Sequence, residues 1–246
     1  MAASLILAAI FVFLAAIVRG YSGFGFSLLA ITSLSLIFSL AQVVPSVFLL
    51  EIAASAHLLP GIWRDIHWRS LMPLVTGTVV GTPIGVFFLA NVPSSPMQVG
   101  LAIFVLVATW LLWRGFALKS MPTRAAAAGV GAAAGIANGA FGIGGPPVIL
   151  FYFASPAGNL AGRASLIAYF FITDIVGLAF LSRQDLVTGA ALFRAAIFLP
   201  ALLAGVWLGA RSFKSADPAV FRKWVLGILA GLAVLSAAKG IYVLTH

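Results

Sequence analysis

No cysteine occurs in the 246 residues, and histidine appears only three times, at positions 57, 67 and 246. A disulfide framework, a thiol nucleophile and a Cys/His zinc cluster are therefore excluded. No other cofactor is called for, and no nucleophile stands beside a base as an enzyme would need. Acidic residues number only five, and charged residues of all kinds make up 8%, against roughly 25% in soluble domains. The 14 Lys and Arg are spread over many short loops and build no contiguous basic face, so no nucleic-acid partner is expected.

What fills the chain instead is apolar sequence: 63% of residues are hydrophobic and the mean hydropathy is +1.16. This composition predicts an all-α polytopic membrane protein whose principal surroundings are the lipid bilayer. Leu5–Val18 has the roughly 14-residue length of a signal-peptide core. No Lys or Arg precedes it, and its first charge, Arg19, follows it, so the segment is expected to belong to the mature fold.

Apolar stretches run over 4–40, 43–61, 70–90 and 97–115, then over 125–155, 161–181, 187–210 and 219–244. The first of each set is too long for one span. The 37 residues of 4–40 would make a helix of about 55 Å, against a hydrocarbon core of about 30 Å. Each is broken by glycines: the first at 19–24, within Gly20-Tyr21-Ser22-Gly23-Phe24-Gly25-Phe26-Ser27, the second at 139–147, within Ala137-Asn138-Gly139-Ala140-Phe141-Gly142-Ile143-Gly144-Gly145-Pro146-Pro147. Aligning Phe24-Gly25 with Phe141-Gly142 superimposes the two at an offset of 117, and Gly85-Val86 matches Gly205-Val206 at 120. The chain thus divides into two repeats, 1–118 and 119–246, each expected to hold a broken helix hairpin followed by three spans.

Loop charges choose how the broken stretches run. If each returns to its own side as a pair of short helices, Arg64, Arg69, Arg114, Lys119, Arg124, Arg163, Arg211, Lys214, Arg222 and Lys223 share one face, leaving Arg183 and Lys239 on the other. The positive-inside rule favours that arrangement, with both termini outside; a full double crossing by each pair gives the same loop sides, so the depth of the hairpins is left open. An odd number of crossings per half then inverts the second repeat relative to the first, the plan of many secondary transporters.

A helix broken at membrane depth leaves backbone groups that protein or trapped water must satisfy. The half-helices beginning near Phe24 and Gly145 would aim positive N-terminal ends at the protein's centre, and such ends attract anions. The expected anion-binding residues are Arg19, Tyr21, Ser22, Gly23, Phe24, Gly25, Asn138, Gly139, Phe141, Gly142, Gly144 and Gly145, with Ser27 as a further donor. The competing interpretation is that these small residues only let helices pack closely. Glu51, Asp174 and Arg194 are intramembrane ionisable residues at costly positions, candidates for ion coupling or for structural ion pairs with Arg19 or Arg194. Arg163 is read as a cytoplasmic anchor and His57 as a packing residue. The tryptophans near span ends are read as interfacial anchors. Gly23-Phe24-Gly25 and Gly142-Ile143-Gly144-Gly145 follow no strand, so they are not nucleotide fingerprints.

These paired Gly-rich segments, together with Arg163-Ala-Ser-Leu after the second, resemble the TauE/SafE sulfite-exporter family of bacterial inner-membrane proteins over essentially the whole chain. In the first segment Ser27 and Leu28 stand where the second has Gly144 and Gly145. The resemblance implies transport of a small anionic sulfur compound or organic acid across the cytoplasmic membrane. The expectation is a secondary transporter working by alternating access, with a hairpin-gated anion channel as the first rival and an intramembrane enzyme or assembly factor as the second. Homo-oligomerisation is left open.

Overall fold

A computed structural model describes residues 2–114, 122–154 and 159–212, together with 227, 231, 234 and 238. The span expected at 219–244 falls almost wholly outside the described residues. Among those residues the chain is helical throughout: α1 (Ala2–Ser22), α2 (Phe26–Leu34), α3 (Leu40–Leu58), α4 (Trp68–Asn91), α5 (Ser94–Arg114), α6 (Arg124–Phe141), α7 (Gly145–Ala154), α8 (Asn159–Ser182) and α9 (Gly189–Ser212). Two 3-10 turns, Leu59–Gly61 and Trp63–Asp65, join α3 to α4. Among the described residues, six helices are long and apolar enough to cross a membrane: those containing Ser4–Ser22, Leu40–Gly61, Trp68–Asn91, Ser94–Arg114, Ala161–Ser182 and Gly189–Arg211.

The breaks are narrower and later than the sequence suggests. Gly23 (φ 78°) and Gly25 (φ 89°) adopt the left-handed conformation that ends α1 and starts α2, while Gly142 (φ 70°) ends α6. Arg19 and Gly20 are still inside α1, and α2 begins at Phe26 rather than Phe24. Helix lengths bear on the depth of the hairpins, which loop charge leaves open. α1 has 21 residues and α6 has 18, about 31 and 27 Å of helix; only the returning arms are short, 9 residues in α2 and 10 in α7. Pro146 and Pro147 occupy the first turn of α7, where a missing N–H leaves nothing unpaired.

Two helix pairs come into backbone contact. A Cβ placed on Gly77, Gly81 or Gly85 of α4 would strike the backbone of α6 at Ala128, Ala132 and Ile136 in turn. One placed on Gly131, Gly135 or Gly139 would strike α4 at Leu74, Thr78 and Thr82. Contacts advance together along both chains, so α4 and α6 run parallel. Gly205 and Gly209 of α9 meet Phe13 and Ile17 of α1, and Gly20 meets Val206, which makes α1 and α9 parallel as well.

Side-chain contacts fix which ends coincide. Ser46 Oγ donates to the Ala191 carbonyl and Arg194 Nη2 to that of Gln42, joining the starts of α3 and α9. At the opposite end the His67 N–H donates to Ser165 Oγ at 2.9 Å, joining the starts of α4 and α8. We call the first end face A and the second face B. α1 and α3 both start at face A, and α6 and α8 both start at face B. Trp63, Trp110, Trp113 and Trp207 are exposed near face B, with Arg114 over Trp110 and Arg211 over Trp207.

Candidate anion site

The site is built from the C-terminal turn of α1 outward. Arg19 is fully buried, and its Nη1 donates to the Gly23 carbonyl at 2.6 Å. That contact stitches the guanidinium across the left-handed turn and holds it at the first break. Nη2 donates to Ser55 Oγ at 2.7 Å and lies 3.2 Å from Glu51 Oε2. One of its two hydrogens goes to the hydroxyl, and Glu51 Oε2 accepts no hydrogen bond among the described residues, so the carboxylate contact is mainly one of charge. Ser55 is one turn beyond Glu51 on α3, which places both on the face presented to α1.

Glu51 meets the start of α2 with its other oxygen. Oε1 accepts from Ser27 Oγ at 2.6 Å and from the Ser27 N–H at 3.3 Å. The positive end of this half-helix is therefore already satisfied by a carboxylate of the same chain. The second break is handled in parallel fashion but through an intermediary. The Gly144 N–H donates to Asn138 Oδ1 at 3.1 Å, and Asn138 Nδ2 donates to Asp174 Oδ1 at 3.3 Å. Asp174 is 1% exposed, and its Oδ2 accepts no hydrogen bond among the described residues. It lies within electrostatic reach of both Glu51 and Arg19.

Phe170 brings the two breaks together. Its ring lies 4.9 Å from the Arg19 guanidinium, and a Cβ on Gly145 would sit 3.2 Å from its Cζ. Gly142 adds a second contact, lying against Ile31 of α2 and Val44 of α3.

Several expected residues are grouped here, and several are not. Arg19, Gly23, Gly25, Asn138, Gly142, Gly144, Gly145, Glu51 and Asp174 surround this cluster. Ser22 Oγ has the Val18 and Phe24 carbonyls within reach of its one hydrogen and accepts from the Phe24 N–H, so it closes its own turn. Tyr21 is buried, with its backbone against Gly209 of α9, and Phe24 lies half-buried in the apolar cluster around α8. Gly139 is in the α4 contact, and Phe141 stacks on Phe104 of α5 with centroids 5.7 Å apart. Arg194 sits at face A above the Phe38 ring, tying α9 to α3.

Ser55 and Phe170 were not among the expected residues. They stand one helical turn from the intramembrane acids, at 51+4 and 174−4, and that spacing was the available signal. Arg163, read as an anchor, instead lays its stem against Gly23 and donates from Nη2 to the Gly20 carbonyl at 3.2 Å.

Comparison with known proteins agrees with this architecture. The chain is 29% identical over 217 residues to the probable sulfite/organosulfonate exporter TauE of Cupriavidus necator, covering 85% of this chain and 84% of that protein. No solved structure matches it. The family profile described as sulfite exporter TauE/SafE spans residues 8–236. With nearly the whole chain matched and six helices of membrane-crossing length, this multi-pass membrane protein belongs to the TauE/SafE sulfite exporter family.

Proposed function

We propose that the chain is a secondary transporter that exports a small sulfur oxyanion, sulfite or an organosulfonate, across the bacterial cytoplasmic membrane by alternating access. The observation that carries this reading is the sealed Arg19–Glu51 pair at the first break, coupled through Phe170 to the second. A guanidinium kept out of water needs a counter-charge, and here the counter-charge is a single side chain that can trade places with an anionic guest. When the guest takes Arg19 and the Ser27 N–H, Glu51 loses its partners and takes up a proton. Anion and proton are thereby linked, with buried Asp174 as the neighbouring acid that shares in the exchange.

Two inverted repeats, 1–118 and 119–246, supply the moving parts. The reading is supported by the parallel pairs α4/α6 and α1/α9, each joining one repeat to the other, and by the starts of α1 and α6 at opposite faces. Face B, with its arginines and tryptophans, faces the cytoplasm on the positive-inside rule, which leaves the N-terminus outside. Glu51 on α3 and Asp174 on α8 occupy corresponding places, each tied to the start of its own repeat's half-helix.

Purified protein in sealed liposomes tests this directly. Saturable uptake of labelled sulfite, abolished in Arg19→Gln protein that remains folded, is expected. Flux rising linearly with concentration would favour a hairpin-gated channel, and no flux of sulfite or organosulfonate would remove the transport reading.

A further inference from the structure

A second cluster of cationic groups lies apart from the central site, at face B. A cavity of about 370 Å³ opens between the first turns of α4 and α6, lined by His67, Arg69, Ser70, Pro73, Pro122, Thr123, Arg124, Ala127 and Phe151. No acidic residue is in that lining, and neither arginine forms an ion pair among the described residues. The parallel packing of α4 and α6 sets two helix N-termini side by side at the cavity, so their partial positive charges add to those of the arginines. We propose that this cavity is an outer binding site for small oxyanions, an antechamber that collects substrate at the cytoplasmic face ahead of Arg19.

Its inner wall leads toward the central site. Ser70 Oγ, at the cavity, lies 3.2 Å from Tyr152 OH and 2.8 Å from His67 Nδ1, and the His67 N–H reaches Ser165 at the start of α8. Two residues before Ser165, Arg163 lies against Gly23 and reaches Gly20. The Arg19 guanidinium donates to the carbonyl of that same Gly23 at 2.6 Å. The cationic groups thus run from exposed Arg69 and Arg124, through half-buried Arg163, to buried Arg19. Water screens the outer pair, so the outer site holds an anion loosely enough to pass it inward.

The inference rests on the transport reading, and its test separates the two. Uptake of labelled sulfite is measured in inverted membrane vesicles, whose outer surface is face B, for the unsubstituted protein, Arg69→Gln/Arg124→Gln, and Arg211→Gln as a same-face charge control outside the cavity. Loss of the two cationic contacts is expected to raise KM about fivefold, with maximal flux held within about twofold, and the difference should shrink as ionic strength rises. Arg211→Gln should leave KM unchanged. An unchanged KM in folded double-variant protein, or an equal rise in Arg211→Gln, overturns the antechamber while leaving transport intact. If the double variant changes only the stabilisation conferred by phosphatidylglycerol vesicles over phosphatidylcholine ones, the cavity holds a lipid headgroup and the antechamber is likewise overturned. Absence of saturable uptake by the unsubstituted protein removes the transport reading and the antechamber with it.

Discussion

Arg19 Nη2 lies 3.2 Å from Glu51 Oε2, and neither side chain is more than 1% exposed. An ion pair sealed this completely is poor evidence for added stability, because withdrawing both charges from water offsets most of their attraction. Breaking it from one side is another matter, since the remaining charge has no water to return to. Under the proposed function, the pair would hold a cation in the bilayer at a place where an anion can later replace the carboxylate.

That distinction gives the first prediction. Arg19→Gln and Glu51→Gln should each lower stability by about 3–5 kcal/mol, while the double substitution should recover much of the loss, because no lone charge remains. Flux should not recover. Detergent unfolding followed by tryptophan fluorescence, combined with liposome uptake, measures both halves. A double variant no more stable than the worse single variant would show that the pair's hydrogen bonds to Gly23, Ser55 and Ser27 matter more than its charges.

Asp174 differs from Glu51 in having one hydrogen-bond donor, Asn138, where Glu51 has the Ser27 N–H and hydroxyl and the Arg19 charge 3.2 Å away; in both, the second carboxylate oxygen accepts no hydrogen bond among the described residues. Asp174→Asn keeps the shape and removes the ability to exchange a proton. Saturable sulfite flux should persist, and its variation over about three pH units should flatten. Retention of the full pH dependence in the variant would remove Asp174 from the coupling and leave Glu51 alone in that role.

Gly142 is a backbone prediction. Its φ of 70° and the position of the Ile31 Cδ1 methyl both oppose a side chain. The left-handed conformation alone makes Gly142→Ala unfavourable by about 1–2 kcal/mol. Ile31→Val, which removes the obstructing methyl, should recover the steric part in the alanine background. Gly129→Ala, on α6 with nothing within 4 Å of the new methyl, should instead stabilise by up to about 1 kcal/mol. Thermal midpoints of the four proteins decide the matter.

The sequence made the large features legible for definite reasons. A 37-residue apolar stretch cannot be one span, and charges such as Glu51 and Asp174 stand out because lipid makes them costly. What remained hidden was the job of each glycine. Gly20 and Gly139 look like turn residues, yet both lie within helices and allow backbones to meet. The four-residue spacing of 131, 135 and 139, matched by 77, 81 and 85, was a readable sign of helix packing. Charge partners were harder still. Arg19 and Arg194 both stood as candidate partners for the acids, and helix phase together with the turn at Gly23 places Arg19 beside Glu51. Likewise, a positive half-helix end looks open in sequence, but a carboxylate from α3 already fills the first one.

Phe170 gives the last prediction, because it is the side chain common to both breaks. The guanidinium 4.9 Å from its ring centroid gains about 0.5–2 kcal/mol from the aromatic face, and the other edge of the ring fills the space beside Gly145. Phe170→Leu keeps most of the apolar volume and loses the face; Phe170→Tyr keeps the face and adds a hydroxyl. If the ring's role is to pass a shift at Arg19 to the second hairpin, leucine should slow maximal flux by about tenfold, a difference of about 1.4 kcal/mol in the barrier. Sulfite affinity should change less, because Arg19, Ser55 and Ser27 are untouched. Tyrosine should retain most of the flux. A leucine variant that loses affinity and flux equally would make Phe170 part of the anion's own pocket, and one that loses neither would separate the two breaks functionally despite their contact.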